Sequence, residues 1–282
     1  MNLRTFFSLI KIEHTLFALP LALTGAVLGA RGVPSAKTLI LLALAFTAAR
    51  ASAMAFNRLI DRRIDALNPR TAEREIPSGA ISAARAGILV ALSAGAFLAA
   101  SWAINPLCGK LAPMALVVLL GYSYTKRFTV LCHYILGLAL GIAPVAGWLA
   151  VKGAFAWPPV VLGIGVIFWT AGFDTLYACS DIRFDREMNL YSLPARLGPA
   201  RALRSAALSH TVAFGLFVLT GHLAGLSWVF YLLSLSTGLL LLWEHRLIRP
   251  DDLSRLDTAF FRANSLVSVS LMLAVCGGLI VK

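Results

Sequence analysis

Residues 38–65 read TLILLALAFTAARASAMAFNRLIDRRID. Positions 38–56 are apolar or small except for Arg50. At about 1.5 Å per residue, a run of that length spans a hydrocarbon layer as one α-helix. The closing positions 57–65 reverse the character, with Asn57, Asp61, Asp65 and three arginines. Asp61 and Asp65 are four apart, so a helix carries both carboxylates on one face. The stretch therefore predicts a membrane helix that surfaces into a charged rim.

The rest of the chain extends that reading. Of 282 residues, 59% are hydrophobic and 13% charged, against roughly 25% charged in soluble domains. Long apolar runs recur along the whole length, continuous rather than alternating, which excludes a β-barrel. The expected fold is all-α: a polytopic bundle of nine transmembrane helices around a central cavity, forming one domain over 1–282. The spans fall near 13–30, 38–56, 84–104, 107–124, 133–151, 158–178, 204–222, 226–243 and 262–281. Asn105, Pro106 and Lys110 crowd the start of the fourth. The first reads as a retained helix rather than a signal peptide.

Charge sets the orientation. With nine spans, nineteen of the Lys and Arg residues fall on the side of the N-terminus, from Arg4 and Lys11 to Arg262. Arg31, Lys37, Lys110, Lys152 and Lys282 fall on the other side, and Arg50 lies within the second span. The positive-inside rule places the rich side in the cytoplasm, with the N-terminus in and the C-terminus out. All thirteen acidic residues lie on or near that side, so the chemistry is expected to face the cytoplasm across the inner membrane. The net charge of +12 belongs to this basic rim, and nucleic acid is not an expected partner. The four cysteines show no C-x-x-C spacing and the five histidines no H-E-x-x-H; they read as neither a zinc site nor a disulfide framework.

A near-copy of the first carboxylate pair stands 120 positions on, as Asp181 and Asp185, with Asp174 two helical turns deeper. Each pair follows an even-numbered span, a four-helix period consistent with two parallel repeats. Uncompensated carboxylates beside lipid are costly, so two pairs on one side point to a bound hard cation. No His or Cys joins this acidic cluster, which favours Mg²⁺ gripping a diphosphate over a transition metal.

Tyr122, Lys126 and Arg127 end the fourth span. They read as a cationic clamp for a diphosphate with tyrosine as a donor, and Arg58 and Arg74 add to it. Arg50 stands among small residues, with Asn57 seven positions on and on the same helix face. An intramembrane arginine needs a partner or a cavity, and here it reads as the docking point for an anionic small molecule.

These stretches resemble the UbiA superfamily of intramembrane aromatic prenyltransferases. Asn57, Asp61 and Asp65 resemble its N-x-x-x-D-x-x-x-D motif, and Arg70 to Gly79 its R-T-x-x-R-x-x-x-S-G continuation. Tyr122, Lys126, Arg127 and Thr129 are similar to a Y-x-x-x-K-R-x-T element, and Asp174, Asp181 and Asp185 to the second acidic motif. Arg50 matches the arginine associated with the aromatic acceptor. The resemblance covers essentially the whole chain.

It implies that Asn57, Asp61, Asp65, Asp181 and Asp185 hold Mg²⁺. Arg58, Arg74, Tyr122, Lys126 and Arg127 would bind the diphosphate of a polyprenyl diphosphate, and Arg50 with Asn57 would bind an aromatic acid. The implied reaction transfers the polyprenyl group to a 4-hydroxybenzoate-like acceptor in quinone biosynthesis, with the lipid bilayer holding the tail. Asp174 would bind metal indirectly or assist proton loss. Arg58 departs from the acidic residue usual after the asparagine, so a dihydroxynaphthoate, as in the futalosine route to menaquinone, stands as an alternative acceptor. From a different class, a cation-coupled secondary transporter would also use intramembrane carboxylates and repeats, but with sites near the bilayer midplane.

Overall fold

The structure, a computed structural model, describes residues 8–9, 15–249, 252–256 and 262–281. Among these residues it is helical, with one isolated bridge between Arg249 and Asp252 as the only β-type pairing. The helices are α1 (Thr15–Ala30), α2 (Ala36–Leu67), α3 (Ala83–Ile104), α4 (Pro106–Thr125), α5 (Cys132–Lys152) and α6 (Trp157–Ala178). A 3₁₀ turn (Cys179–Asp181) leads into short α7 (Ile182–Glu187) and α8 (Leu193–Leu197), then α9 (Pro199–Leu223), α10 (Trp228–Leu247) and α11 (Asn264–Ile280).

The long helices lie where the nine apolar runs lie. Among the described residues, six are by length and composition long and apolar enough to cross a membrane: α2, α3, α4, α5, α6 with its continuation to Glu187, and α9. α10, though 20 residues long, is not among the six, and the apolar part of α1 and the whole of α11 are shorter, so nine crossings stand as a proposal. Arg4, Lys11 and Lys282, counted in the charge asymmetry, lie outside the described residues.

The residues crowding the fourth span prove to be start signals. The Asn105 side chain caps α4 by accepting the Cys108 N–H at 2.9 Å, and Pro106 occupies the first helical turn. A proline there loses no helical hydrogen bond. Ser35 and Ser82 cap α2 and α3 in the same way, satisfying amides that the helix leaves open.

α2 packs on α3, α5 lies between α1 and α6, α6 packs on α9, and α11 bridges α10 and α1. Lipid is as apolar as a protein interior, so burial alone does not draw these helices together; close van der Waals packing does. A Cβ on Gly25 would overlap the Pro144 carbonyl, and one on Gly147 the Ala22 carbonyl. Glycine thus lets α1 and α5 touch backbone to backbone. Gly137 and Gly141 do the same for α5 against α6.

The two acidic segments are unlike in backbone. α2 runs unbroken past Asp65, whereas α6 stops at Ala178 and Asp181 sits in the 3₁₀ turn. The shared spacing in sequence therefore does not carry a shared conformation.

Candidate active site

One cavity of about 820 Å³ opens among α1 to α6 and the segment 181–192. Its wall includes Arg50, Asn57, Asp61, Asp65, Arg74, Tyr122, Lys126, Asp174, Asp181 and Asp185. Both acidic segments and most of the expected clamp thus meet in one space. Most of the remaining wall is apolar, including Leu136, Val145, Leu149, Phe155 and Ile164.

Asp61 is almost fully buried and held from three sides. Lys126 Nζ reaches Oδ2 at 2.5 Å, Arg127 Nη2 reaches Oδ1 at 2.7 Å, and Asn57 Nδ2 reaches Oδ2 at 3.3 Å. Its charge is tolerated because two cations and an amide replace water. The Asn57 amide also donates to Ser123 Oγ at 3.4 Å, tying α2 to α4. Asp65 Oδ1 receives Arg74 Nη1 at 2.8 Å, while buried Oδ2 has no hydrogen-bond partner among the described residues.

On the second segment, Arg70 grips Asp181 through Nε at 3.0 Å and through a close Nη2 contact, and Asn68 Nδ2 adds a bond at 3.1 Å. Arg70 also donates to Tyr177 Oη at 2.7 Å. Burial works against the Arg70 charge, but the bonds and charge of Asp181 outweigh it and raise its pKa. Asp185 Oδ2 accepts Ser192 Oγ at 2.6 Å. Asp174 Oδ2 pairs with His133 Nδ1 at 2.7 Å.

Two expected residues stand back from the cavity wall. Arg127 lies behind Asp61, also donating to the Ser123 and Ile60 carbonyls. Arg58 is 3% exposed and does not line the cavity. Its place in the sequence after Asn57 therefore does not put its side chain in the cavity.

Arg70, Asn68, Tyr177, Ser192 and His133 also line the cavity, although the sequence reading gave none of them a role and named only Arg70, within a motif. Some signals were present. Asn68 ends α2 and its Oδ1 accepts the Arg70 N–H at 3.0 Å, a turn its type favours. Tyr177 stands four before Asp181. His133 corrects the expectation that no histidine joins the acidic cluster, although both its nitrogens are engaged by protein groups.

Whether Mg²⁺ fits can be judged from the donors. Among the described residues, no three His, Cys, Asp or Glu side chains enclose a metal by themselves. Mg²⁺ asks for less, since it keeps waters and shares substrate phosphate oxygens. The carboxylates supply hard oxygen, and the buried Asp65 Oδ2 lacks a partner. The donor set fits.

Comparison with known proteins agrees with this architecture. The family described as the UbiA prenyltransferase family matches residues 18–266. A 4-hydroxybenzoate octaprenyltransferase of Vibrio campbellii is 30% identical over 260 residues, covering 91% of this chain and 88% of that one. Its counterpart in Yersinia enterocolitica is 31% identical over 272 residues, covering 95% and 90%. A UbiA homolog from Aeropyrum pernix superposes with a TM-score of 0.84 at 34% identity, over 94% of this chain and 97% of that one. A UbiA homolog from Archaeoglobus fulgidus, solved with DMAPP and Mg²⁺, shares the fold at a TM-score of 0.76 and 22% identity, over 99% and 100%.

Proposed function

Since the chain belongs to the UbiA prenyltransferase family, a family of membrane enzymes, we propose that it transfers a polyprenyl group from polyprenyl diphosphate to a 4-hydroxybenzoate-like aromatic acid. The observation that carries this is the shape of the cavity. Carboxylates and cations from two distant segments gather with Arg50 and Asn57 in a space otherwise lined by apolar side chains. A diphosphate, a small aromatic acid and a long hydrocarbon need those surfaces together.

The diphosphate is assigned to Lys126, Arg70 and Arg74. Each rests on a carboxylate, and on this reading they turn to the leaving-group charge as it develops. Arg58 and Arg127 contribute charge from behind the wall, and Tyr122 is the neutral donor. Asp61, Asp65, Asp181 and Asp185 would hold Mg²⁺, with Asn57 beside Asp61. When bound, the metal supplies neutralisation of the departing diphosphate. The apolar wall excludes water that would trap an allylic cation.

Arg50 precedes Asp61 by eleven positions on α2, about 16 Å along the helix at 1.5 Å per residue. It is assigned to the acceptor carboxylate, with Asn57 on the same face. The ring carbon ortho to the hydroxyl bonds to the prenyl carbon as the C–O bond to diphosphate breaks, and the ring then loses its proton. Asp174 assists that loss. A dihydroxynaphthoate would meet Arg50 through its carboxylate too.

The test is to incubate purified protein with a polyprenyl diphosphate and a panel of aromatic acids, including both acceptor classes, and identify products by mass spectrometry. Prenylated 4-hydroxybenzoate is expected, abolished by EDTA and restored by Mg²⁺. Turnover undiminished in EDTA would remove the metal, and product only from the naphthoate would replace the acceptor.

A further inference from the structure

His133 sits in the first turn of α5, 2% exposed, between two partners with unambiguous roles. The Leu193 backbone N–H lies 3.2 Å from Nε2. An amide N–H can only donate, so Nε2 accepts and carries no proton. The proton of the neutral ring is then on Nδ1, which donates to Asp174 Oδ2 at 2.7 Å. The backbone thereby fixes the tautomer, as the second nitrogen of a histidine commonly does. Asp174 receives one hydrogen bond, on Oδ2, while its side chain keeps 25% exposure and lines the cavity.

Leu193 itself belongs to a short strap. Leu190 N–H donates to the Asp185 carbonyl at 2.8 Å, and Tyr191 N–H to the Lys126 carbonyl at 2.7 Å. The Cys132 thiol meets the Tyr191 carbonyl at 3.1 Å, and Ser192 Oγ donates to Asp185 Oδ2. Residues 190–193 thus touch Asp185 directly, Asp174 through His133, and the chain at Lys126.

We infer that His133 is a positioning residue for prenyl transfer, which holds Asp174 as an oriented hydrogen-bond acceptor in the cavity wall at a place set by the strap 190–193. The inference rests on the prenyl-transfer reading. His133 lines the cavity and hydrogen-bonds Asp174 and the Leu193 N–H, and among the described residues no hydrogen bond or ion pair joins it to Arg70, Arg74 or Lys126. Its loss therefore falls on the chemical step rather than on diphosphate binding.

Two variants separate its two hydrogen bonds. His133→Asn keeps an N–H as many bonds from Cβ as Nδ1, and so can still serve Asp174. His133→Gln keeps an acceptor oxygen as many bonds from Cβ as Nε2 and so can serve Leu193, while its own N–H stands one bond further from Cβ than Nδ1 and is misplaced for Asp174. Purified full-length enzyme is assayed for prenyl transfer, varying each substrate, with thermal unfolding in detergent as the folding control. His133→Ala is expected to lose roughly ten- to hundredfold in kcat, the scale of a lost hydrogen bond to a charged group. Its KM for the prenyl diphosphate should stay within about threefold of wild type. The Asn variant should recover more kcat than Gln. In an Asp174→Asn background, His133→Ala should cost little further, because the pair acts as a unit.

Recovery by Gln equal to or better than Asn would overturn the inference and leave a loop-holding role. So would additive losses in the double variant, or a loss confined to the KM of the diphosphate. If His133→Ala does not survive purification, the Asn and Gln comparison decides alone. Absence of transfer by the wild type would instead overturn the prenyl-transfer reading, so the two failures are distinct.

Discussion

Arg50 and Asp61 stand on the same helix, yet their surroundings differ in kind. Asp61 has two cations and an amide within hydrogen-bond distance, whereas Arg50 stands deeper in the largely apolar part of the cavity wall. A group at each depth suits a different end of the chemistry. Arg50→Ala should raise the acceptor's KM by roughly ten- to hundredfold, the loss of one charge-assisted contact, and leave that of the prenyl diphosphate nearly unchanged. Arg50→Lys should recover only part, because an ammonium lacks the two-pronged fork. Steady-state kinetics with each substrate varied in turn checks this, and a loss mainly in diphosphate affinity would move Arg50 to the phosphate site. Asp65→Asn makes a second test. It removes charge beside Arg74 and exchanges a carboxylate oxygen for an amide, so Mg²⁺ titration of activity should shift to higher concentration. An unchanged Mg²⁺ dependence would exclude Asp65 as a ligand.

Between helices, contact distance is set by the smallest side chain. Gly25 and Gly95 are both helical glycines, but the first faces backbone and the second faces open space. Gly25→Ala forces a methyl into the Pro144 carbonyl, and α1 and α5 must separate. Overpacking of this kind costs about 1–3 kcal/mol, read as a lower unfolding temperature in detergent. Gly95→Ala should be neutral or stabilise by about 0.5–1 kcal/mol through helix propensity. Equal effects at the two sites would show that α1 does not pack on α5 through Gly25.

Across the described residues, both acidic segments and the cations Arg70, Arg74 and Lys126 meet in one cavity whose remaining wall is mostly apolar. This is the arrangement the proposed tail-bearing substrate would require, with its charge toward water and its hydrocarbon along the bilayer. The proposed orientation puts the charged side in the cytoplasm. A reporter fused after Lys282 should then behave as non-cytoplasmic, since nine crossings from an inside start end outside. A cytoplasmic C-terminus would make the count even, with α1, α10 and α11, which stand outside the six helices apolar and long enough to span, the ones to re-examine.

The all-helical membrane fold, and most of the residues that meet in the cavity, are legible in the order of residues alone. Hydrocarbon leaves a spanning chain no partner for its backbone except itself, so long apolar runs dictate helices. Helical periodicity likewise puts Asp61 beside Asp65 and Arg50 in line with Asn57. Even the crowded start at Asn105 and Pro106 is legible once read as a cap rather than an interruption. What only the tertiary structure decided are partners chosen across helices. Asp61 is neutralised from the turn after α4 and Asp181 by Arg70 from the loop after α2, while Asp174 is hydrogen-bonded by His133 from α5. The withdrawal of Arg58 and Arg127 behind the wall, and the break that sets Asp181 in a 3₁₀ turn, are of the same kind. Local spacing fixes direction along one helix, but which side chain meets it from another depends on how glycines, caps and loops bring those helices together, and a single sequence does not encode that in any short interval.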